Sequence, residues 1–164
     1  MNQKYIEEYN KDIKYFSDER ILIKEAGNSL TAIYLNEIIY SNRSLYSMKP
    51  KNKQNLLFLL SCLNSKLLSF YYCENFKSDT NIFPKIRIEQ VKHLPIPKAT
   101  EVEQQKLGLA QKMIYLNKQL AGAKSQAEVS VLTRQIAATD IFIDKLVFAL
   151  YGLTDDEIAT IEKQ

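Results

Sequence analysis

The sequence predicts an α+β fold, in which a mixed α/β lobe over residues 1–98 is followed by a long antiparallel helical hairpin and a short closing helix over residues 99–164. Three observations predict it. Short β-permissive runs bounded by charges and turn residues occupy the first third, and a dense apolar stretch at helical spacing follows from Asn52 to Phe76. Two heptad seams, each opened by a capping box, fill the last third. At 164 residues the chain has the size of one domain with an appendage, and 46% apolar with 25% charged residues allows a buried core.

The elements follow in order. Tyr5, Ile6, Tyr9, Ile13 and Phe16 recur near every 3.6 residues, which predicts a short amphipathic helix. Ile21 to Ile23 is an apolar run, Gly27-Asn28-Ser29 a turn signal and Leu30 to Leu35 β-permissive, so a hairpin is expected there. Leu45 to Met48 forms a further extended piece that stops at Pro50, because proline removes a ladder donor. From Asn52 to Phe76 leucines and aromatics are too numerous for a one-sided surface helix, which therefore packs largely buried against a sheet. Asn75 to Asn81 reads as a polar loop and Ile82 to Ile88 as a strand. Leu94-Pro95-Ile96-Pro97 is an extended exit that proline keeps out of helix.

Beyond the exit, Thr100 with Glu103 forms a capping box, and Val102, Leu109, Met113, Leu116 and Leu120 lie on an a/d seam ending at Gly122. Ser125 with Glu128 opens a second helix, along which Val129, Leu132, Ile136, Thr139, Ile143, Leu146 and Leu150 alternate in threes and fours. The short connection makes the two helices antiparallel, so Leu116 and Ile136 should face across the seam. Ile136→Asp is accordingly expected to cost on the order of 3 to 5 kcal/mol. Gly152 closes the second helix, and Thr154 with Glu157 caps a last short one.

Several chemistries find no support. Cys62 and Cys73 are too far apart along a helix for a disulfide, so both are expected as buried thiols in a reducing compartment. With the single histidine, His93, and no CxxC pair, no zinc set is formed, and the four scattered glycines make no phosphate loop. No serine, cysteine or carboxylate stands in a partner motif with His93, so no catalytic residue is assigned. Asp155-Asp156-Glu157 suits the first turn of a helix rather than a metal. No apolar run, Leu56 to Leu60 included, approaches the roughly 20 residues needed to cross a bilayer. A soluble, cytoplasmic protein without a membrane partner is expected.

Charge divides the chain. Residues 1–98 carry 15 basic and 10 acidic side chains, and residues 99–164 carry 7 and 9. Between Arg43 and Lys98, ten cations stand against three acids, interleaved with tyrosine, phenylalanine, asparagine and serine. Such a segment supplies both phosphate and base contacts to a nucleic acid, although a lysine-rich solvated surface has the same composition. On the expected strand, Phe83, Lys85 and Arg87 alternate onto one side. Arginine pairs bidentately with guanine, lysine suits phosphate, and Phe83 can pack on a sugar or thymine methyl or serve as ordinary core. Arg43, Lys49, Lys51, Phe83, Lys85 and Arg87 are the candidate DNA-binding residues.

One succession across residues 20–160 carries a resemblance: RILIKEAG, the Asn-Ser turn, LLFLLSCLNSKLLSFYY, NIFPKIRIEQVKHLPIP and FIDKLVFALYGLTDDEIATIE. Its most telling pieces are Leu63-Asn64-Ser65-Lys66, Leu94-Pro95-Ile96-Pro97 and the Leu150-Tyr151-Gly152-Leu153-Thr154 core. In these it resembles the TaqI-like C-terminal specificity domain of type IIG restriction-modification enzymes and adenine-specific DNA methyltransferases, and is similar to half of a type I restriction specificity subunit. The resemblance implies a target-recognition lobe that reads double-stranded DNA, with helices that set its distance from a methyltransferase or nuclease region. That region lies in the same polypeptide or a separate subunit.

For the parent enzyme the resemblance implies N6-adenine methylation with S-adenosylmethionine, with or without Mg2+-dependent cleavage. No cofactor is expected in this chain itself, which has no Asn-Pro-Pro run and no nuclease signature. A fragment of a larger protein or a separately encoded specificity piece is therefore expected, with catalysis elsewhere. The competing expectation is a protein-interaction module that docks through the helical hairpin and has no DNA specificity. In that case the cations scatter over the surface instead of converging on one face.

Overall fold

The computed structural model describes residues 16–27, 29–39, 44–49, 55–76 and 85–163. Most of the first expected helix, residues 5–15, lies outside the described residues, as do Asn28 and residues 77–84. Strands β1 (Arg20–Lys24), β2 (Ala32–Leu35) and β3 (Leu45–Met48) form an antiparallel sheet in the order β2-β1-β3. Ile21 lies opposite Tyr34 on one side and Met48 on the other. All three strands fall where the β-permissive runs predict them.

The central strand is covered on both faces, and Arg20 through Ile23 are buried. Ile21 and Ile23 face the main core. On the opposite face the Arg20 guanidinium donates to the carbonyl oxygens of Asp18, Glu37 and Ile39 at 3.0, 2.9 and 2.9 Å. A buried cation is tolerated here because main-chain oxygens replace its water. Arg20 thereby secures the segment after β2.

The expected single helix from Asn52 to Phe76 is two helices, α1 (Leu56–Asn64) and α2 (Lys66–Phe76), with 61° between them. Ser65 makes the break. Its hydroxyl donates to the Cys62 carbonyl at 2.7 Å and accepts from the Leu68 amide at 3.3 Å, ending one helix and opening the next. Asn64 beside it donates to the Ala32 carbonyl at 2.9 Å and accepts from the Ala32 amide at 2.8 Å. Its amide thus pairs with the free edge of β2 as a neighbouring strand would. Among the described residues no single helix is long and apolar enough to cross a membrane.

The strand expected over Ile82–Ile88 lies outside the described residues up to Pro84, and its described end is not a strand. Of its described part, Lys85 makes one isolated bridge to Ala26, and a short helix α3 (Ile88–Val91) follows Arg87. The next helix is also broken. α4 (Glu101–Lys106) and α5 (Leu109–Gly122) are separated at Leu107-Gly108, where a Cβ on Gly108 would come within 2.8 Å of the Gln105 carbonyl oxygen. The break turns Val102 to solvent at 61% exposure, so it leaves the predicted seam. Leu107 and Ala110 are buried instead, and the Leu107 carbonyl accepts from the buried Ser61 hydroxyl.

α6 (Gln126–Tyr151) returns antiparallel to α5, ends at Gly152 in the left-handed conformation with φ 65°, and leads into α7 (Asp155–Glu162). All three expected capping boxes form, on Thr100, Ser125 and Thr154. The amide donors of these caps hold Glu103, Glu128 and Glu157 below the usual carboxylate range.

One core joins the sheet, α1 and α2 to Ile86, Val91, Leu94, Leu107, Ala110, Ile143, Val147, Phe148 and Ile161. Two polar joints bind the C-terminal helices to it. The buried Asp144 carboxylate accepts from the Lys66 amide at the start of α2 at 2.9 Å, and the Tyr151 hydroxyl donates to the Pro95 carbonyl at 2.6 Å. Burial pushes the Asp144 carboxyl and the Tyr151 hydroxyl up from their ordinary values.

Candidate nucleic-acid interface

Residues 85–87 are held to the lobe through their backbone. The Ile86 amide donates to the Glu25 carbonyl at 2.7 Å beyond the end of β1, and the Ile86 side chain is fully buried. Alternation in the extended chain then turns Lys85 and Arg87 outward, and both are exposed. They share a facing, which the extended backbone on either side of Ile86 provides.

Arg87 is the residue before α3. Its carbonyl accepts from the Gln90 and Val91 amides at 3.0 and 3.1 Å, and its amide donates to the Tyr72 hydroxyl at 3.2 Å. The guanidinium has no carboxylate partner among the described residues, because Glu89, the nearest acid in sequence, pairs with Lys92 at 2.6 Å. Lys85 differs. Its ammonium lies 3.4 Å from Glu25 in an exposed pair of the kind solvent largely screens.

Lys49 stands apart from these two. It follows β3 next to the Arg20 end of β1 and pairs with Asp18 at 3.2 Å. Lys85 docks beyond the other end, so the stretch from Arg20 to Ala26, roughly 20 Å of extended chain, separates them. Arg43, Lys51 and Phe83 lie outside the described residues. Of the six candidates, Lys85 and Arg87 are brought together and Lys49 is not.

Tyr72 is the residue that sequence reasoning missed. It is buried on α2, its ring packs against Phe76 with centroids 5.5 Å apart, and its hydroxyl donates to the Gln90 side-chain oxygen at 2.6 Å. Burial raises its pKa and keeps the hydroxyl a donor. In the sequence it is one aromatic among several on an apolar helix, with nothing to single it out.

The described residues contain no group of three or more His, Cys, Asp or Glu side chains placed to hold a metal ion. Cys62 is buried as expected and Cys73 only half-buried, and burial pushes the Cys62 thiol up to about 12, which leaves it unreactive. Lys85 and Arg87 present two exposed cations on one side of the segment. The TaqI-like C-terminal specificity domain matches residues 1–96, more than half of the chain and including the whole of the Lys85–Arg87 segment. The chain belongs to this family.

Specificity domains of this family serve DNA sequence recognition in restriction-modification enzymes. The match stops short of the two long helices, whereas the resemblance in the sequence extends through them to about residue 160. No curated protein matches the chain.

Proposed function

We propose that this specificity domain is the double-stranded DNA recognition module of a type IIG-like restriction-modification enzyme and is non-catalytic by itself. Its parent would methylate adenine N6, with or without cleaving DNA. S-adenosylmethionine and Mg2+ would belong to the parent's methyltransferase and nuclease regions, and the setting would be cytoplasmic. One observation carries the reading: the exposed Arg87 guanidinium has no carboxylate partner among the described residues, while its own backbone is bonded on both sides. A planar fork held in this way matches the two major-groove acceptors of guanine, and Lys85 beside it suits a phosphate.

Duplex binding measured against salt tests the proposal. Affinity should fall steeply with ionic strength; Lys85→Ala should weaken all sequences alike and reduce the slope of log affinity on log salt by about one. Arg87→Ala should relax preference at one base pair by roughly 1 to 3 kcal/mol. Undetectable duplex binding at low salt would overturn the reading. A second reading, a protein-docking module, is favoured by the outward face of α6, where Val131 and Phe142 are 53% and 54% exposed. It predicts no salt-dependent duplex binding.

A further inference from the structure

The Tyr72 hydroxyl is the central member of a directed chain, in which the Arg87 amide donates to its oxygen and its proton goes to the Gln90 side-chain oxygen. Both bonds reach residues that open or form α3, so one buried oxygen ties the start of α3 to α2. The ring has little freedom, because Tyr72 is 5% exposed and Phe76 packs against it. On the outer side, Arg87 has no side-chain cap bond and no partner among the described residues to fix its direction. What its main chain sets is the point from which the side chain reaches outward.

We propose that Tyr72 is the positioning residue of the recognition segment, fixing through its hydroxyl the backbone of Arg87 and the side chain of Gln90 without itself touching DNA. The inference rests on the assignment of Arg87 to DNA. Removing the hydroxyl leaves a main-chain donor and a side-chain acceptor without their partner, and the residue between Ile86 and α3 can then rotate. The Ile86 side chain and its bond to Glu25 remain. The lobe therefore keeps its structure while the Arg87 side chain loses its fixed starting point.

The full chain, with Tyr72→Phe, Arg87→Ala and the double variant, should be selected against duplexes carrying a randomised central segment, and its thermal unfolding recorded. Tyr72→Phe is expected to lower preference at the base pair read by Arg87 roughly five- to tenfold while affinity for unselected duplex stays the same. Added to Arg87→Ala it should have no further effect on preference. Gln90→Met, which removes the acceptor from a partly exposed position, should reproduce part of the loss even if Tyr72→Phe unfolds the lobe.

Unchanged preference in both Tyr72→Phe and Gln90→Met, an equal loss on all sequences, or additivity with Arg87→Ala would overturn the role of Tyr72 and leave DNA recognition standing. A wild-type chain without duplex binding would remove both.

Discussion

The two halves of α6 carry the same three-four apolar alternation and have different fates. From Gln126 to Ala138 no residue is fully buried, whereas from Thr139 to Tyr151 the helix buries Thr139, Ile143, Asp144, Val147 and Phe148. The first half has α5 as its main partner, and the second packs into the lobe against α1 and α2. A heptad stripe specifies which side of a helix turns inward. How deeply it is buried depends on whether a third body closes over it.

The sharpest test of this contrast is a pair of identical charge insertions. Val147→Asp places a carboxylate at a fully buried position and should cost more than about 4 kcal/mol in urea unfolding. Ile136→Asp should cost only about 1 to 2 kcal/mol, because Ile136 is half-buried and lines an open apolar cleft of about 590 Å³ between β2, α1, α5 and α6. This is below the 3 to 5 kcal/mol that the seam alone suggests. Equal losses would mean that the near half of the hairpin is as tightly enclosed as the far half.

A smaller effect separates the halves by pH. Asp144 is raised by burial, with Asp140 and Glu162 adding to the shift and the amide and charge of Lys66 opposing it. Its folded value lies above its unfolded one, so its contribution to stability is complete below the ordinary carboxylate range and is lost as pH rises through the raised value. Asp144→Asn keeps an oxygen for the Lys66 amide and cannot ionise. The variant should therefore lose less stability than the wild type as pH rises above the ordinary carboxylate range in unfolding titrations. A parallel pH profile for the two proteins would show that Asp144 ionises in the fold without penalty.

The smallest effect is expected on the solvent side of the same helix. Phe142→Ser, at a position 54% exposed, should change the unfolding free energy by less than about 0.5 kcal/mol. A larger loss would mean that this face is covered in solution.

Local chemistry made much of the fold legible. The three strands, the three capping boxes and Gly152 were visible because each depends on neighbours in sequence. The division of the Asn52–Phe76 stretch into two helices was not legible, because a serine within an apolar helix does not show whether its hydroxyl will bond back to Cys62 and forward to Leu68, and the bonds of Asn64 to Ala32 reach β2. Val102 fits the heptad as well as its neighbours do, and the break at Leu107-Gly108 that separates it from them leaves no mark in the spacing.

In the candidate site, the alternation of Lys85, Ile86 and Arg87 could be read, and its outcome follows from one buried isoleucine. The bond from Tyr72 could not, since it joins residues fifteen positions apart through a hydroxyl that sequence cannot aim. The pieces that carry the family resemblance prove to be joints: Asn64 on β2, Pro95 under Tyr151, and Gly152 at the end of α6.

The joints at Asp144 and Tyr151 also bear on how such a module can be exchanged. The family match ends at residue 96, but Val147 and Phe148, from far beyond it, are fully or nearly fully enclosed by the same core. A chimaera cut at that boundary would transplant the outward-facing Lys85 and Arg87 while breaking the packing beneath them. Grafting a new specificity therefore requires carrying the inner face of α6 with the lobe, or matching its side chains one by one.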